Sequence, residues 1–424
     1  MCVAFLELPR IGAVAKNSFW LLAPRMYRNA VRVCLLMCLL LGLPQVHIAS
    51  AQADDPDEQF APSASVLDDP LIRYQAKRGL DLLYNMRFDR AATLFNLVDQ
   101  RYPEHPIGPF LTALNTWWEI LLDLSDESLD EDFFNAMQEV IDRSDRMLDA
   151  DSESFDAKFF KGAALGFRGR HRSNRGQWYR AARDGQRALS YVLSIAEHKD
   201  ENIDFGFGQG IYKYFVEAMP EQYPVIRPLM VFFPSGNKEN GLEILQRISD
   251  DGYYTQTEAT YFLLQIFHDF EQDYEQSLYY ANKLVDRHPQ NPFFRAYKGR
   301  VHARWGRWTN VQDTFGNILQ RYQENEPGYT DGIAEQALFY LGRAHVARRS
   351  FDEALERFHQ LEALSSRHEH DTNFRVMGRL YQGIAYDGLG ERETAKRRYQ
   401  EVLEMDDHAN AHELAKRYLD RPYQ

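Results

Sequence analysis

Apolar residues follow a helical rhythm through most of this chain, from residue 71 to the C-terminus. They return every three or four positions over helix-length stretches, and short segments rich in glycine or polar residues separate these stretches. Such spacing places the apolar side chains on one face of an α-helix. The pattern therefore predicts a series of amphipathic helices joined by turns, with essentially no β-sheet.

The helical pattern is also periodic. A unit at 258–291 is followed directly by a second at 292–325, so the pattern returns after 34 residues, and each unit holds two helix-length stretches and a turn. A helix pair of this size cannot bury its apolar faces alone and must stack on its neighbours. The aligned positions of the two units hold Tyr261 and Arg295, Gln265 and Gly299, Ser277 and Val311, Ala281 and Phe315, and Leu284 and Ile318.

Further units extend this register in both directions. Two of them begin at Ile72 and Pro106, and two more begin at Glu335 and Val376. The segment 154–191 fits as a divergent unit, with a glycine at its expected small position. The units together predict a continuous stack of helix pairs along most of the chain.

Four irregular segments interrupt or end the register. Surplus residues at 325–332 and 366–373 are polar or turn-forming and predict lengthened loops. Within the divergent unit, the arginine- and glycine-rich stretch 168–176 predicts a lengthened turn. The last periodic stretch, 410–419, has a polar face and predicts a terminal capping helix.

Small and large residues alternate in a fixed order within the C-terminal units, as Gly342, Ala354 and Phe358 and again as Gly383, Ala395 and Tyr399. Small residues let two helices approach, and the large residues fill the space between units. In this order and period the chain resembles the tetratricopeptide repeat family. The resemblance implies an all-α fold, an α-solenoid of stacked antiparallel helix pairs wound into a right-handed superhelix.

The central stretch 203–256 departs from the repeat. Its apolar residues predict one helical pair, and a proline-rich insertion between the two helices prevents a single long helix. The glycines of 206–210 lack the preceding strand and the lysine of phosphate-binding loops, so we assign them to close helix packing. This stretch resembles uncharacterised exported tetratricopeptide proteins of bacteria, a resemblance that supplies no activity.

The N-terminus predicts export. Three arginines precede an apolar run at 33–43, and Ala-x-Ala patterns follow it, as in a secretory signal peptide. We therefore interpret 1–53 as a cleaved leader, with an uncleaved membrane anchor as the alternative. Residues 54–70 are rich in aspartate, proline and serine and predict a disordered acidic tether. The expected location is the periplasm or the cell envelope.

The remaining chain divides into three parts of one solenoid. The part at 71–202 holds N-terminal repeats, 203–256 is the divergent pair, and 257–424 holds the C-terminal repeats and the capping helix. Each unit of a repeat array contacts only its neighbours, so the length of such an array does not require separate domains. We expect these three parts to form one continuous body.

The net charge of the chain limits the classes of partner that it is expected to bind. The formal net charge is −13. The leader contributes +4, so its removal leaves −17. A chain this acidic is a poor ligand for nucleic acid, and membrane association is not expected for the mature chain. All three cysteines lie in the leader, so the mature chain needs no disulfide.

Candidate chemistry is sparse. The sequence holds no nucleophile elbow, zinc-protease or phosphate-loop motif. His268, His302 and His345 share the eleventh position of three units, but stacked helices lie about 10 Å apart, too far for these side chains to share one metal ion. We interpret them as packing residues. The sequence therefore predicts no catalytic residue, no metal site and no cofactor.

The resemblance also implies a binding surface, because the first helix of each unit lines the concave groove in tetratricopeptide arrays. Guanidinium groups there suit a carboxylate partner, and ring or aliphatic side chains supply pockets. Pairing of these arginines with carboxylates of the same chain is the alternative. The residues predicted on this surface are Arg300, Arg304, Arg343, Phe293, Phe339 and Leu380.

These inferences combine into one functional hypothesis. The chain is expected to be an exported scaffold, an adaptor or assembly factor that binds a protein or peptide partner in the cell envelope and is not an enzyme. The alternatives are an enzyme or a lipid-handling protein that uses a pocket around 204–252. Nothing in the pattern sets the partner's identity or the oligomeric state.

Overall fold

The computed structural model describes residues 65–124, 126–196, 202–224, 227, 230, 233–368 and 370–423. Within these residues the chain forms 17 α-helices and no β-strand. No helix in this part of the chain combines the length and the apolar character needed to cross a bilayer. The predicted leader and residues 54–64 of the predicted tether lie outside the described residues.

The helices follow one another as eight antiparallel pairs and a final single helix. In chain order they are α1 Pro70–Tyr84, α2 Phe88–Arg101, α3 Ile107–Ile120, α4 Asp130–Ala150, α5 Phe155–Asn174, α6 Trp178–Ala196, α7 Phe207–Gln222, α8 Lys238–Asp251, α9 Gln256–Gln265, α10 Tyr274–Arg287, α11 Pro292–Arg304, α12 Trp308–Gln323, α13 Asp331–Ala347, α14 Phe351–Ser365, α15 Asn373–Gly388, α16 Arg392–Glu404 and α17 Ala411–Asp420. Successive helices pack on each other along the whole series, and the predicted all-α solenoid is confirmed.

Side-chain caps set where many of these helices begin. The Asp69 carboxylate accepts the backbone N–H groups of residues 71 and 72 at the start of α1, where Pro70 occupies the first turn. Asn291 caps α11 in the same way, again before a proline, and Thr372 caps α15. Each cap satisfies backbone donors that have no partner within the helix. These local signals fix the register of the helix pairs.

A glycine–aromatic contact joins the two helices of four units. A Cβ atom on Gly342 would lie 2.4 Å from a ring carbon of Phe358, and one on Gly383 would lie 2.4 Å from a ring carbon of Tyr399. Gly79 meets Phe95, and Gly299 meets Phe315, in the same way. All four rings are essentially inaccessible to solvent. Glycine is therefore required at these positions because the partner ring lies directly on the helix backbone.

The predicted loops and cap are confirmed, but the predicted turn at 168–176 is wrong. α5 continues to Asn174, and a short turn leads into α6. The arginines favour a helix here because their partners are on neighbouring helices: Arg168 binds both carboxylate oxygens of Asp184 at 2.9 Å, and Arg172 binds the same group. A buried carboxylate shared by two arginines makes the stretch a packed helix face.

The folded body begins earlier than the sequence predicts. Residues 66–68 form a 3-10 helix within the predicted tether, and Leu67 is buried. Ser65 and the backbone N–H of Val66 both donate to the carboxylate of Asp156 on α5. The buried leucine and these hydrogen bonds hold the last six residues of the predicted tether against the solenoid.

The superhelix closes on itself, so that the first unit contacts the fifth and sixth. The Tyr84 hydroxyl at the end of α1 donates to Glu258 on α9 at 3.2 Å, and Asn291 donates to the Tyr84 carbonyl at 2.9 Å. The Tyr254 hydroxyl donates to the Leu67 carbonyl at 2.8 Å. One contiguous cluster of buried apolar residues accordingly extends from Leu67 to Val301. We call this contact between the first unit and α9–α11 the closing contact.

We expect the glycine–aromatic contacts to dominate the stability of the C-terminal units. Gly342→Ala should destabilise the fold by about 1–3 kcal/mol, because a methyl group would collide with Phe358. The control is Gly316→Ala on α12, where an added Cβ meets nothing within 4 Å. That change should stabilise the helix by about 0.5–1 kcal/mol. Thermal melts followed by circular dichroism measure both, and equal effects of the two substitutions would contradict the packing described.

The closing contact should weaken in acid because of His288. Its Nδ1 lies 3.4 Å from the Asn85 amide, its Nε2 lies 2.9 Å from the Thr257 hydroxyl, and burial lowers its pKa to about 3. The unfolded chain takes up this proton near its ordinary pKa of 6.5. Between those values only the unfolded state is protonated, so stability falls as pH falls, by up to about 1.4 kcal/mol per pH unit.

Unfolding by urea at pH 7 and pH 5 tests this dependence. Other buried histidines, including His171 and His268, also have lowered pKa values because of burial and contribute with the same sign. His288→Gln should reduce the pH dependence of the unfolding free energy by the contribution of one proton. The contributions of the other buried histidines should remain. An identical pH dependence in the variant and the wild type would exclude His288 as the group responsible.

Candidate functional site

The predicted arginines lie on the first helices of the sixth and seventh units, and their surroundings differ. Arg300 on α11 is half-buried, and its guanidinium carbon lies 3.9 Å from the centre of the Tyr297 ring. Its Nε is buried and has no hydrogen-bond partner. Among the described residues, Arg300 forms no ion pair at 4 Å or less. It is a cation held against a ring.

Arg343 on α13 is held among several rings. Its guanidinium carbon lies 5.3 Å from the ring centre of Tyr340, 5.5 Å from that of Tyr381 and 5.6 Å from that of Phe339. The ring of Trp308 is the fourth, at 5.9 Å. No carboxylate in the described part of the chain forms an ion pair with it. Ring faces attract a cation electrostatically, so this cage stabilises the charge without neutralising it.

Arg304 differs from these two arginines because it is paired. Its guanidinium group donates to Asp269 Oδ1 at 3.1 Å and to the carbonyl of His268 at 3.3 Å. Asp269 also accepts the Tyr297 hydroxyl at 3.0 Å. Burial acts to raise the pKa of Asp269, but hydrogen bonding to His268 and the nearby positive charges lower it overall. Pairing with a carboxylate of the same chain, the alternative that the sequence leaves open, is therefore observed for Arg304.

The apolar residues predicted on the surface are mostly core residues. Leu380 is 0% exposed and offers no side-chain surface to a partner. Phe293 is buried against Trp118 of α3 and Tyr261 of α9, with ring centres 5.8 Å and 5.5 Å away, and so packs beside the closing contact. Phe339 is also buried and forms part of the cage around Arg343. Of these three residues, Phe339 is the one in contact with a predicted arginine.

A row of tyrosines completes the surface, and sequence reasoning missed it. Tyr261, Tyr297, Tyr340 and Tyr381 come from α9, α11, α13 and α15, one from each successive first helix. The last three share the sixth position of their units, so the repeat register carried the signal. Burial acts to lower the pKa of both arginines, but the neighbouring tyrosines raise it overall. Tyr297 and Tyr340 raise the pKa of Arg300, and Tyr381 and Tyr340 raise that of Arg343. We call Arg300, Arg343 and these four tyrosines the arginine–tyrosine surface.

The three aligned histidines have separate environments. His268 hydrogen-bonds through Nδ1 to Asp269 at 2.9 Å, and its ring packs against Tyr297. His302 is buried, and His345 is half-buried on α13. Across the described ranges, no group of three or more histidine, cysteine, aspartate or glutamate side chains is arranged to hold a metal ion. These histidines therefore form no shared site.

Comparison with known proteins identifies no family by sequence. No protein-family model matches the chain, and no curated protein matches it either. Solved structures align with the chain in three dimensions, at low sequence identity. The apo form of RapI aligns with a TM-score of 0.40 and 14% identity, over 79% of this chain and 87% of that one.

Two further solved structures align with lower scores. The TPR domain of P58(IPK) gives a TM-score of 0.23 and 13% identity, over 82% of this chain and 88% of that one. The Cut9–Hcn1 hetero-tetramer of the APC/C gives a TM-score of 0.22 and 13% identity, over 84% of this chain and 93% of that one. Similarity at this level carries no argument about function. The class of the protein, an all-α solenoid of tetratricopeptide-like helix pairs, rests on its own helices and their period.

Proposed function

We propose that this chain is a binding scaffold that holds a protein or peptide partner by a carboxylate group on the arginine–tyrosine surface. The observation that carries the proposal is the state of Arg300 and Arg343. Both are half-buried, neither forms an ion pair among the described residues, and both lie against aromatic rings. A partly desolvated cation without a counter-ion binds an anion more strongly than a hydrated one does.

The chemistry of the surface favours a carboxylate from a peptide. Arginine presents a planar fork that matches the two oxygens of a carboxylate. The chain carries a net charge of −13, so a site for an anion is a local exception to its overall field. Tyrosines beside the arginines combine a ring with a hydroxyl donor and are favoured where proteins contact partners. A free C-terminus or an acidic side chain of a partner meets these requirements.

The proposed setting is the cell envelope, where the scaffold would act as an adaptor or assembly factor. This part of the proposal rests on the predicted leader at 1–53. We propose no catalytic role, since the chemistry that this surface offers is recognition of a charge. Handling of an apolar ligand is a second candidate function, and a cavity beside the central segment favours it.

A peptide-binding experiment tests the proposal. A random peptide library is screened against the immobilised chain, and selected peptides are resynthesised with a free C-terminus and with a C-terminal amide. We expect Arg300→Ala with Arg343→Ala to weaken binding about 100-fold, since each charge-assisted hydrogen bond contributes about 1.5–3 kcal/mol. The melting temperature should change little, because neither arginine anchors an ion pair.

The matched control is Arg348→Ala with Arg397→Ala, which removes the same charge from two exposed positions, one directly after the end of α13 and one on α16. This control should bind as the wild type does. An equal loss in the control would show that net charge, and not this surface, attracts the peptide. Binding that is unchanged in the Arg300 and Arg343 double variant, or a large loss of stability, would refute the proposed role.

Export has its own test. N-terminal sequencing of the chain isolated from the expressing cells should begin at Gln52 or Asp54, directly after one of the two Ala-x-Ala patterns. A start upstream of residue 33 would show that the apolar run is retained, as in the membrane-anchor alternative. The result bears on location only and leaves the peptide-binding test unaffected.

A further inference from the structure

A cavity of about 260 Å³ lies within the closed part of the superhelix, and its lining contains no residue of the arginine–tyrosine surface. Side chains of α1, α3, α5, α6, α7 and α9 surround it. Its walls are mainly aromatic and aliphatic, and the aromatic ones include Phe110, Phe159, Phe167, Phe207 and Phe262. The cavity is larger than the apolar cavity of about 150 Å³ that takes up benzene. It can therefore hold an organic molecule of more than six carbon atoms.

Two features of the fold keep this space open: the limited packing of two helices and a glycine in the middle of a third. α6 and α7 make limited contact with each other, and the cavity extends between them. Gly166, in the middle of α5, lines the cavity, and a Cβ atom placed on it would meet nothing within 4 Å. Glycine within a helix costs about 0.5–1 kcal/mol relative to alanine. No close helix packing requires glycine here, in contrast to Gly342 or Gly383.

A buried arginine supplies the polar end of the cavity. Arg170 is 5% exposed, lines the cavity and lies 5.4–5.5 Å from the ring centres of Trp117, Tyr261 and Phe262. Its one hydrogen bond to a described residue runs from Nη2 to the Tyr261 hydroxyl at 3.2 Å. The guanidinium group has five N–H donors. Four of them lack a partner among the described residues.

Glu258 is near this arginine but does not neutralise it. Its Oε1 accepts hydrogen bonds from Trp118 at 3.1 Å and Tyr84 at 3.2 Å, and it forms no ion pair with Arg170. Burial raises the pKa of Glu258, and the charge of Arg170 opposes this rise without cancelling it. Lys158, the other cation of the lining, is paired with Glu153 at 2.7 Å. The uncompensated charge of the cavity is therefore that of Arg170.

From this geometry we propose that the cavity binds an aliphatic monocarboxylate, with its carboxylate on Arg170 and its hydrocarbon tail between α5, α6 and α7. A buried cation favours a compact anion with two oxygens, and the walls favour a tail that cannot hydrogen-bond. None of the residues of the arginine–tyrosine surface lines the cavity, although Tyr261 accepts a hydrogen bond from Arg170. A medium-chain fatty acid has this chemistry.

Titration calorimetry with decanoate tests the proposal, and decanol serves as the matched ligand without a carboxylate. Both are used with the full chain and below the concentration at which decanoate forms micelles. Decanoate should bind with at least about tenfold higher affinity than decanol, a difference equivalent to one charge-assisted hydrogen bond. Arg170→Gln should abolish that difference between acid and alcohol. Equal binding of the two ligands by the wild type, or no binding of decanoate, overturns the proposal.

A second pair of variants guards against misfolding of the arginine variant. Gly166→Leu places a side chain in the empty space of the cavity and should abolish binding of decanoate. Gly316→Leu makes the same change at a helical glycine on α12, also with no atom within 4 Å of an added Cβ, and should leave binding intact. Melting temperatures should not fall in either variant. Binding that survives Gly166→Leu would place the ligand elsewhere and refute the assignment.

The outcome is separable from the proposed function. Gly166→Leu should leave peptide binding at the arginine–tyrosine surface unchanged. Likewise, the Arg300 and Arg343 double variant should bind decanoate as the wild type does. A chain that binds peptide but not decanoate would retain the scaffold function and lose the cavity proposal.

Discussion

A buried hydrogen-bonded carboxylate holds the superhelix closed, and most of the structure depends on it. Glu258 joins α1, α3 and α9 because Tyr84 and Trp118 both donate to one of its oxygens. An unsatisfied polar group in such a place costs about 1–3 kcal/mol, so the contact tolerates only one arrangement of the three helices. His288 and Asn291 add two further polar contacts to the same end of α1. The closing contact thereby turns an open array into a body with an interior.

Closure divides the concave face into two regions with different linings. In the first five units that face contains the apolar cavity. In the later units it remains partly accessible, because Arg300 and Arg343 are only half-buried there. The buried apolar residues form three clusters: one runs from Leu67 to Val301, one from Ala296 to Ala344, and one belongs to the helices from α13 onward. A single repeat type therefore supports two kinds of binding chemistry.

The sequence predicted what is local and missed what depends on closure. The 34-residue period and the small residues before Phe358 and Tyr399 are local, and they predict the helix pairs. Leu380 was placed on the groove by register alone, although it is fully buried. Glu258 carried no signal, because its partners lie 140 and 174 residues away. The stretch 168–176 is predicted to be a turn but is mostly helical, because the carboxylates that pair with its arginines are on other helices.

The two binding regions are physically joined at Tyr261. Its hydroxyl accepts Arg170 at 3.2 Å from the cavity side and Gln265 at 2.8 Å along α9. Its ring lies 6.1 Å from that of Tyr297, the ring on which Arg300 rests. A hydroxyl shared by a buried cation and an amide has little freedom to move, so the ring is fixed by the cavity side. The position of Arg300 thus depends on the ring of Tyr261 as well as on its own helix, and Tyr261 is in turn held by its hydrogen bonds to Arg170 and Gln265.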